Sequence, residues 1–257
     1  MTFDLSLLDF LLFAFAGVSC GLINTLAGSG SLITLPVFIF ICGLPAPVAN
    51  GTNRVGVLFQ GMVGAHGFFK RDPASFEGIW WLVVPSVLGA IAGSRIAVGL
   101  DEQTMNYTLG GLMIFMFFVL LFKPERWIRE SAPDAGRRRH PLTLFAFFLI
   151  GIYGGFIQAG VGIFMLACLV LVGKYSLRAA NGIKVLLVAI FTLPALAIFV
   201  YYNQVHWVYG LLMAVFQSFG AWLGVQFAAC VPNANVWIYR LLLVVVAVSG
   251  VKLFAGG

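Results

Sequence analysis

Charged residues are scarce in this sequence. Asp, Glu, Lys and Arg make up only 9% of the 257 residues, against roughly 25% in an ordinary soluble domain. Apolar residues make up 61%, which a soluble protein of this length could not cover with polar surface. A protein inside a bilayer needs an apolar outer surface instead. The shortage of charge therefore excludes a soluble globular domain, and we predict an all-α integral membrane protein.

Acidic residues are missing from the interiors of the apolar segments. All nine lie in loops or at segment ends: Asp4, Asp9, Asp72, Glu77, Asp101, Glu102, Glu125, Glu130 and Asp134. Five basic residues lie within the segments: Arg54, Arg95, Lys184, Arg240 and Lys252. A charge inside a membrane costs about 3 kcal/mol or more and normally has a partner. Because no intramembrane carboxylate is available, we expect an anionic substrate to be that partner, and neither a carboxylate-based proton relay nor a sodium site.

Cysteine and histidine are also too sparse to form a reactive centre. The cysteines lie inside or at the ends of apolar segments without CxxC spacing, which is typical of packing residues: Cys20, Cys42, Cys168 and Cys230. Without an interior acid–base pair or a metal cluster, we expect no enzyme activity and no cofactor. The net charge of +6 sits mainly in short loops, where it orients membrane helices, so we expect no nucleic-acid partner.

Glycine, proline and charge divide the chain into a first transmembrane repeat at 1–122, a basic linker at 123–141 and a second repeat at 142–257. We predict five helical segments in each repeat. Those of the first repeat are 7–26, 31–43, 48–69, 77–99 and 103–122. Those of the second are 142–158, 162–173, 179–201, 206–228 and 235–254. The second segment of each repeat is short and follows a glycine cluster, which predicts a broken helix pair at the start of each repeat.

Several short motifs recur in the same order in both halves. Gly17-x-x-x-Gly21-x-x-Asn24 is repeated as Gly151-x-x-x-Gly155-x-x-Gln158. The later pairs are Ala49-Asn50-Gly51 with Ala180-Asn181-Gly182, and Gly89-Ala90-x-x-Gly93 with Gly220-Ala221-x-x-Gly224. The last two pairs share one offset, 131 residues. Four matches in order, counting the glycine clusters, indicate an internal repeat.

Basic residues occupy opposite loops in the two halves. Lys70 and Arg71 follow the third segment of the first half, whereas Lys174 and Arg178 precede the third segment of the second. Under the positive-inside rule, equivalent loops then face opposite sides, which indicates inverted-topology repeats. We therefore expect a multi-pass protein of the inner membrane with a cytoplasmic linker at 123–141 and both termini periplasmic.

The glycine clusters are the first candidate part of a substrate site. Gly28-Ser29-Gly30 and Gly160-Val161-Gly162 open the second segment of each half. Backbone N–H groups at a helix start can hold an oxyanion, and Asn24 and Gln158 could donate from the preceding segment. Close packing of helices against the glycines is the alternative.

Arg54 and Lys184 are the second candidate part, since each follows a repeated Asn-Gly at the start of a third segment. Inverted repeats should direct them from opposite sides toward one central cavity. The alternative is that they extend to the headgroups, as we expect for Arg95, Arg240 and Lys252. The full candidate substrate-binding set is Asn24, Gly28, Ser29, Gly30, Asn50, Asn53, Arg54, Gln158, Gly160, Gly162, Asn181 and Lys184. Further small or polar residues share the helical spacing of these third segments: Gln60, Gly61, Gly64, Val188 and Thr192.

These paired motifs and the basic central linker resemble the TauE/SafE sulfite exporter family, over essentially the whole chain. The first glycine motif of that family is typically near GxGGG, whereas here it is Ala27-Gly28-Ser29-Gly30-Ser31 and then Gly160-Val161-Gly162. The resemblance implies export of sulfite or of an organosulfonate such as sulfoacetate. With the anion argument, we expect a secondary transporter that works by alternating access. An anion channel is the alternative within transport, and a non-transporting membrane scaffold is the alternative outside it.

Overall fold

The computed structural model describes residues 5–121 and 141–230, and these residues form helices and contain no strand. The predicted linker, apart from Pro141, and the predicted segment 235–254, with Arg240 and Lys252, lie outside the described residues. The first half contains α1 (Leu7–Leu26), α2 (Ser31–Phe40), α3 (Ala46–Arg71), a 3-10 turn (Pro73–Phe76), α4 (Trp80–Val98) and α5 (Glu102–Leu121). The second contains α6 (Pro141–Phe156), α7 (Val161–Ala167), a π-helical turn (Cys168–Val172), α8 (Leu177–Tyr201) and α9 (Trp207–Cys230). The predicted segment bounds within these residues are confirmed to within about three residues.

The helices start and stop where local chemistry dictates. Ser6 and Ser176 cap α1 and α8, since each hydroxyl accepts a hydrogen bond from the backbone N–H three residues later. At the end of α1, Gly28 has a φ of +81°, and Gly160 has a φ of +73° just before α7. Glycine adopts this left-handed conformation with little strain, which explains the two helix breaks.

The outer surface is apolar, as a bilayer requires. Large apolar side chains such as Phe15, Leu88 and Val215 are more than half exposed. Four of the described helices are long and apolar enough to cross a membrane, namely Leu7–Leu26, Trp80–Val98, Leu177–Tyr201 and the Trp207–Ala228 part of α9. The chain is therefore a multi-pass membrane protein.

The first helix of each half packs against the fourth helix of the other half. α1 lies on α9 and α6 lies on α4, while α3 and α8 contact each other at the centre. The repeated glycine motifs make these contacts: Gly21 lies against the Gln217 carbonyl, and Gly155 lies against Ala90. A methyl group at either glycine would overlap the facing backbone. The glycine motif of each first helix thus packs against the Gly-Ala motif region of the fourth helix from the other half, so both repeated motifs belong to the same type of helix contact.

The two helix breaks meet at the centre of the molecule. The Gly162 N–H donates to the Gly28 carbonyl at 3.0 Å. A side chain on either glycine would overlap the backbone of the other. Close packing, the alternative considered for these glycines, therefore applies to this pair, and it brings the two halves into contact where their helices are interrupted.

Candidate functional site: a cavity between the helix breaks

A narrow cavity lies between the two breaks and the central helices α3 and α8. It has room for about one water molecule in this conformation. Its lining residues are Asn24, Gly28, Ser31, Val57, Gln60, Gly61, Gln158, Val161, Gly162, Lys184, Val185 and Val188. The cavity therefore joins residues of both halves, with amide, hydroxyl and ammonium groups placed among small and apolar residues.

Lys184 brings a positive charge to this cavity. The side chain is only 1% exposed, so it does not reach the surface. Its Nζ donates to the Thr25 carbonyl at 3.1 Å and to Asn181 Oδ1 at 2.8 Å. Thr25 is the next-to-last residue of α1, so the ammonium lies at the negative end of that helix. An ammonium has three donors, and the described part of the chain provides acceptors for two.

Arg54 occupies a related place at the end of α6 but does not line the cavity. It is fully buried, and its two Nη atoms donate to the carbonyls of residues 154, 155 and 156 at 3.2, 2.6 and 3.3 Å. Asn50 Nδ2 donates to the same Phe156 carbonyl at 2.8 Å. The Phe199 ring lies 4.4 Å from the guanidinium carbon, a cation–π distance. Arg54 thus caps the C-terminus of α6.

Each buried cation therefore has backbone partners at the end of a helix from the other half. The last carbonyls of a helix lack intrahelical partners and carry partial negative charge. Sequence reasoning looked for carboxylates and overlooked these carbonyls. The expectation that both cations reach one cavity is met by Lys184 but not by Arg54.

The repeat register explains why the two cations differ. The offset of 131 that aligns Asn50 with Asn181 aligns Lys184 with Asn53 rather than with Arg54. One position along a helix is a rotation of about 100°. The two side chains therefore leave their helices in different directions, one toward the cavity and the other toward the end of α6.

Hydrogen bonds behind the cavity hold the first break in place. Asn24 Oδ1 accepts from the Gly30 N–H at 2.6 Å, and the Thr34 hydroxyl donates to Asn53 Oδ1 at 2.6 Å. At the second break, Gln158 Nε2 donates to the Thr192 hydroxyl at 2.6 Å. These bonds connect each break to the neighbouring helices and orient the amides that line the cavity.

The structure brings five of the twelve candidate residues to the cavity: Asn24, Gly28, Gln158, Gly162 and Lys184. The other seven do not line it: Ser29, Gly30, Asn50, Asn53, Arg54, Gly160 and Asn181. Ser29 is buried with an unpartnered hydroxyl, and Gly160 lies against Met116. Arg95 is exposed. Ser31 and Val161, which belong to the two glycine-rich stretches noted in the sequence, also line the cavity. Sequence reasoning missed Val57 and Val185, because a valine in an apolar helix carries no signal of a binding site.

Comparisons of the sequence with known proteins identify a transporter family and several relatives. A family model described as "Sulfite exporter TauE/SafE" matches residues 13–253. A "Probable membrane transporter protein" of Haemophilus influenzae is 27% identical over 216 residues, which cover 82% of this chain and 81% of that protein. "Probable membrane transporter protein ORF9" of Sinorhizobium sp is 29% identical over 248 residues, 94% of this chain and 92% of that protein. "Probable membrane transporter protein YfcA" of Escherichia coli K12 is 24% identical over 241 residues, 93% of this chain and 87% of that protein. No solved structure matches the chain.

Proposed function

We propose, given that the chain belongs to the TauE/SafE sulfite exporter family, that it exports a small sulfur-containing oxyanion across the bacterial inner membrane. The family description motivates the substrate class, which is sulfite or an organosulfonate such as sulfoacetate. The similar proteins are named as probable membrane transporters. The proposal assigns this chain the role of a secondary transporter rather than an enzyme or a scaffold.

The observation that carries the proposal is the Lys184 ammonium at a buried cavity without an acidic partner. Asp9, Asp72, Glu77, Asp101 and Glu102 are the acidic residues that the structure describes, and none of them is buried. In surroundings of low dielectric constant, an unscreened positive charge attracts an anion strongly. An oxyanion in the cavity would therefore satisfy the charge and the remaining donor of Lys184.

We further propose how the anion is held. Lys184 supplies the charge, and Asn24 and Gln158 supply amide N–H groups. Gly28 and Gly162, beside the two breaks, let the backbone approach the anion closely. Three further candidates hold these groups in position. Asn181 orients the ammonium, and Gly30 and Asn53 keep the first break in position.

The transport cycle that we propose is alternating access by two inverted repeats, 1–122 and 142–257, joined by a cytoplasmic linker at 123–141. The reciprocal packing of α1 on α9 and α6 on α4 supports a twofold relation between the halves. Since the cavity is narrow, this conformation corresponds to the closed state, and either half must move to admit an anion. Both termini are proposed to be periplasmic, because the basic loops mark the cytoplasmic side.

Transport by the purified protein in liposomes tests this proposal. Sulfite, sulfate, thiosulfate, sulfoacetate and taurine are offered, and saturable uptake with counterflow is expected for at least one sulfur oxyanion. Counterflow separates a carrier from an anion channel. If the wild-type protein neither binds nor transports any of these compounds, the substrate proposal is wrong.

The Lys184→Ala variant tests the site in the same assay. Because a hydrogen bond to a charged group is worth about 1.5–3 kcal/mol, its loss should weaken anion binding about tenfold or more. Lys174→Ala is the matched control, since this exposed lysine also removes one positive charge but lies in a loop. Equal anion affinity of Lys184→Ala and wild type in calorimetry would contradict the site assignment.

A further inference from the structure

Gln217 of α9 is a buried amide with no hydrogen-bond partner among residues 5–121 and 141–230. The side chain is fully buried, and neither Oε1 nor Nε2 has a partner. Leaving a buried polar group unpaired costs about 1–3 kcal/mol. An apolar side chain of similar size would avoid this cost, so packing alone does not account for a glutamine here.

The equivalent residue of the first half shows the contrast. The offset of 131 pairs Gln217 with Ser86. The Ser86 hydroxyl donates to the Leu82 carbonyl at 2.7 Å on its own helix, α4. The polar group of Ser86 is therefore satisfied locally, whereas the amide of Gln217 requires a partner from elsewhere.

Gln217 lies against the face of α3 that leads to the central cavity. It faces Gly56, where a Cβ atom would lie 2.5 Å from Gln217 Oε1. Gln60 is one helical turn further along α3 and lines the cavity, and its Oε1 is also buried and unpartnered. Asn53 is about one turn in the other direction, and its Nδ2 is likewise buried and unpartnered. Residues three and four apart share one face of a helix.

We propose that the anion passes between the cavity and one side of the membrane along this face of α3, and that Gln217 is a hydrogen-bonding station on this path. Its amide N–H donates to the oxyanion, and its amide oxygen accepts from accompanying water. Because Gly56 has no side chain, the Gln217 amide fits directly against α3 on this face. This inference rests on the proposed transport of a sulfur oxyanion and adds a site outside the cavity.

The Gln217→Leu variant tests whether Gln217 affects the rate of anion transport without affecting anion binding in the cavity. Since leucine removes an unpaired amide, the melting temperature should stay equal or rise. Counterflow of the transported anion should slow about tenfold or more, because a hydrogen bond to a charged group is lost on the path. The calorimetric Kd should remain within about threefold of wild type, because the cavity residues are unchanged. Gln217→Asn, which keeps an amide, should recover part of the rate.

Ser86→Ala is the matched control, and its transport rate should stay near that of wild type because its hydroxyl bonds only within α4. Wild-type transport by Gln217→Leu would overturn the inference. So would a lower melting temperature together with parallel losses of binding and rate, since that pattern indicates a packing role.

A second measurement does not depend on which anion is transported. Gln217→Cys is made in a chain whose native cysteines are replaced by alanine and is treated with a small water-soluble thiol reagent. Reaction is expected because the path admits water and ions. Val215→Cys, at an outward-facing position, should not react from within the lipid. Absence of reaction at position 217 would overturn the proposed path, even if transport of the anions had failed for other reasons.

Discussion

The two buried cations occupy related places in the two halves but have different surroundings. Arg54 spreads a planar guanidinium over three carbonyls and the face of Phe199. Lys184 contacts one carbonyl and one amide and faces a cavity. A guanidinium fork can satisfy several acceptors at once, whereas an ammonium is a compact charge on a flexible stem. The comparison shows a cation that caps a helix end in one half and a cation that faces a cavity in the other, and our proposal assigns the anion to the second.

The largest expected effect comes from the helix contacts that both halves share. Gly21→Val and Gly155→Val each place a branched side chain against backbone of the facing helix, so α1 must separate from α9, or α6 from α4. We expect neither variant to yield folded, monodisperse protein in detergent, as size-exclusion chromatography would show. Gly111→Ala is the control, because nothing lies near its added methyl group. Normal folding of one valine variant but not the other would show that the two contacts are not equivalent.

The next largest effect is a difference in the free energy of unfolding between variants of the two cations. Arg54→Met leaves three helix-end carbonyls without this donor in a buried site, which should reduce the free energy of unfolding by about 3 kcal/mol or more. Lys184→Met leaves the Thr25 carbonyl and Asn181 Oδ1 without this donor, but both lie beside a cavity with room for a water molecule, so a smaller loss of about 1 kcal/mol is expected. Reversible unfolding in mixed micelles measures both values. If Lys184→Met lost more unfolding free energy than Arg54→Met, Lys184 rather than Arg54 would be the structural cap.

Replacing each cation by the other type tests whether the shape of the charged group matters at each position. Arg54→Lys keeps the charge but cannot bridge three carbonyls, so we expect a loss of about 1–2 kcal/mol of stability with little change in anion affinity. Lys184→Arg keeps a charged donor at the cavity and should retain anion binding, weakened a few-fold by its larger size. Thermal shift and calorimetry on the same samples provide both readouts. Loss of anion binding in Arg54→Lys, with stability unchanged, would place Arg54 at the substrate instead.

The smallest effects concern the two asparagines of the repeated Ala-Asn-Gly motif. Asn50→Ala removes one hydrogen bond to the Phe156 carbonyl, which Arg54 still caps, so stability should fall by about 1 kcal/mol or less. Asn181→Ala removes the hydrogen bond that the Lys184 ammonium donates to Asn181 Oδ1. We expect anion affinity to change a few-fold and stability to stay nearly unchanged. Calorimetric titration beside thermal unfolding detects both differences. The opposite pattern would show that Asn50 serves the anion and Asn181 serves the fold.

Local patterns were sufficient to predict the helices and the two breaks. The bounds of α1 agree with the predicted 7–26, and the break that follows it lies at Gly28, where the sequence places a glycine cluster. These features depend on neighbours in the chain, namely apolar runs, capping serines and glycines that tolerate a positive φ. The sequence placed Arg54 and Lys184 inside such runs but left open that they extend to the headgroups, and the structure buries both.

The partners of these two cations required the tertiary structure. Lys184 binds the carbonyl of Thr25, and Arg54 binds carbonyls at the end of α6, about 100 or more positions away in the chain. Every residue has a backbone carbonyl, so no side-chain pattern marks the ones that lack a partner. By itself the sequence determined a helical membrane protein with buried positive charges and interrupted helices. Only the packing of one half against the other decided that Arg54 closes a helix end and that Lys184 faces the cavity, because that depends on which helix terminus each side chain meets.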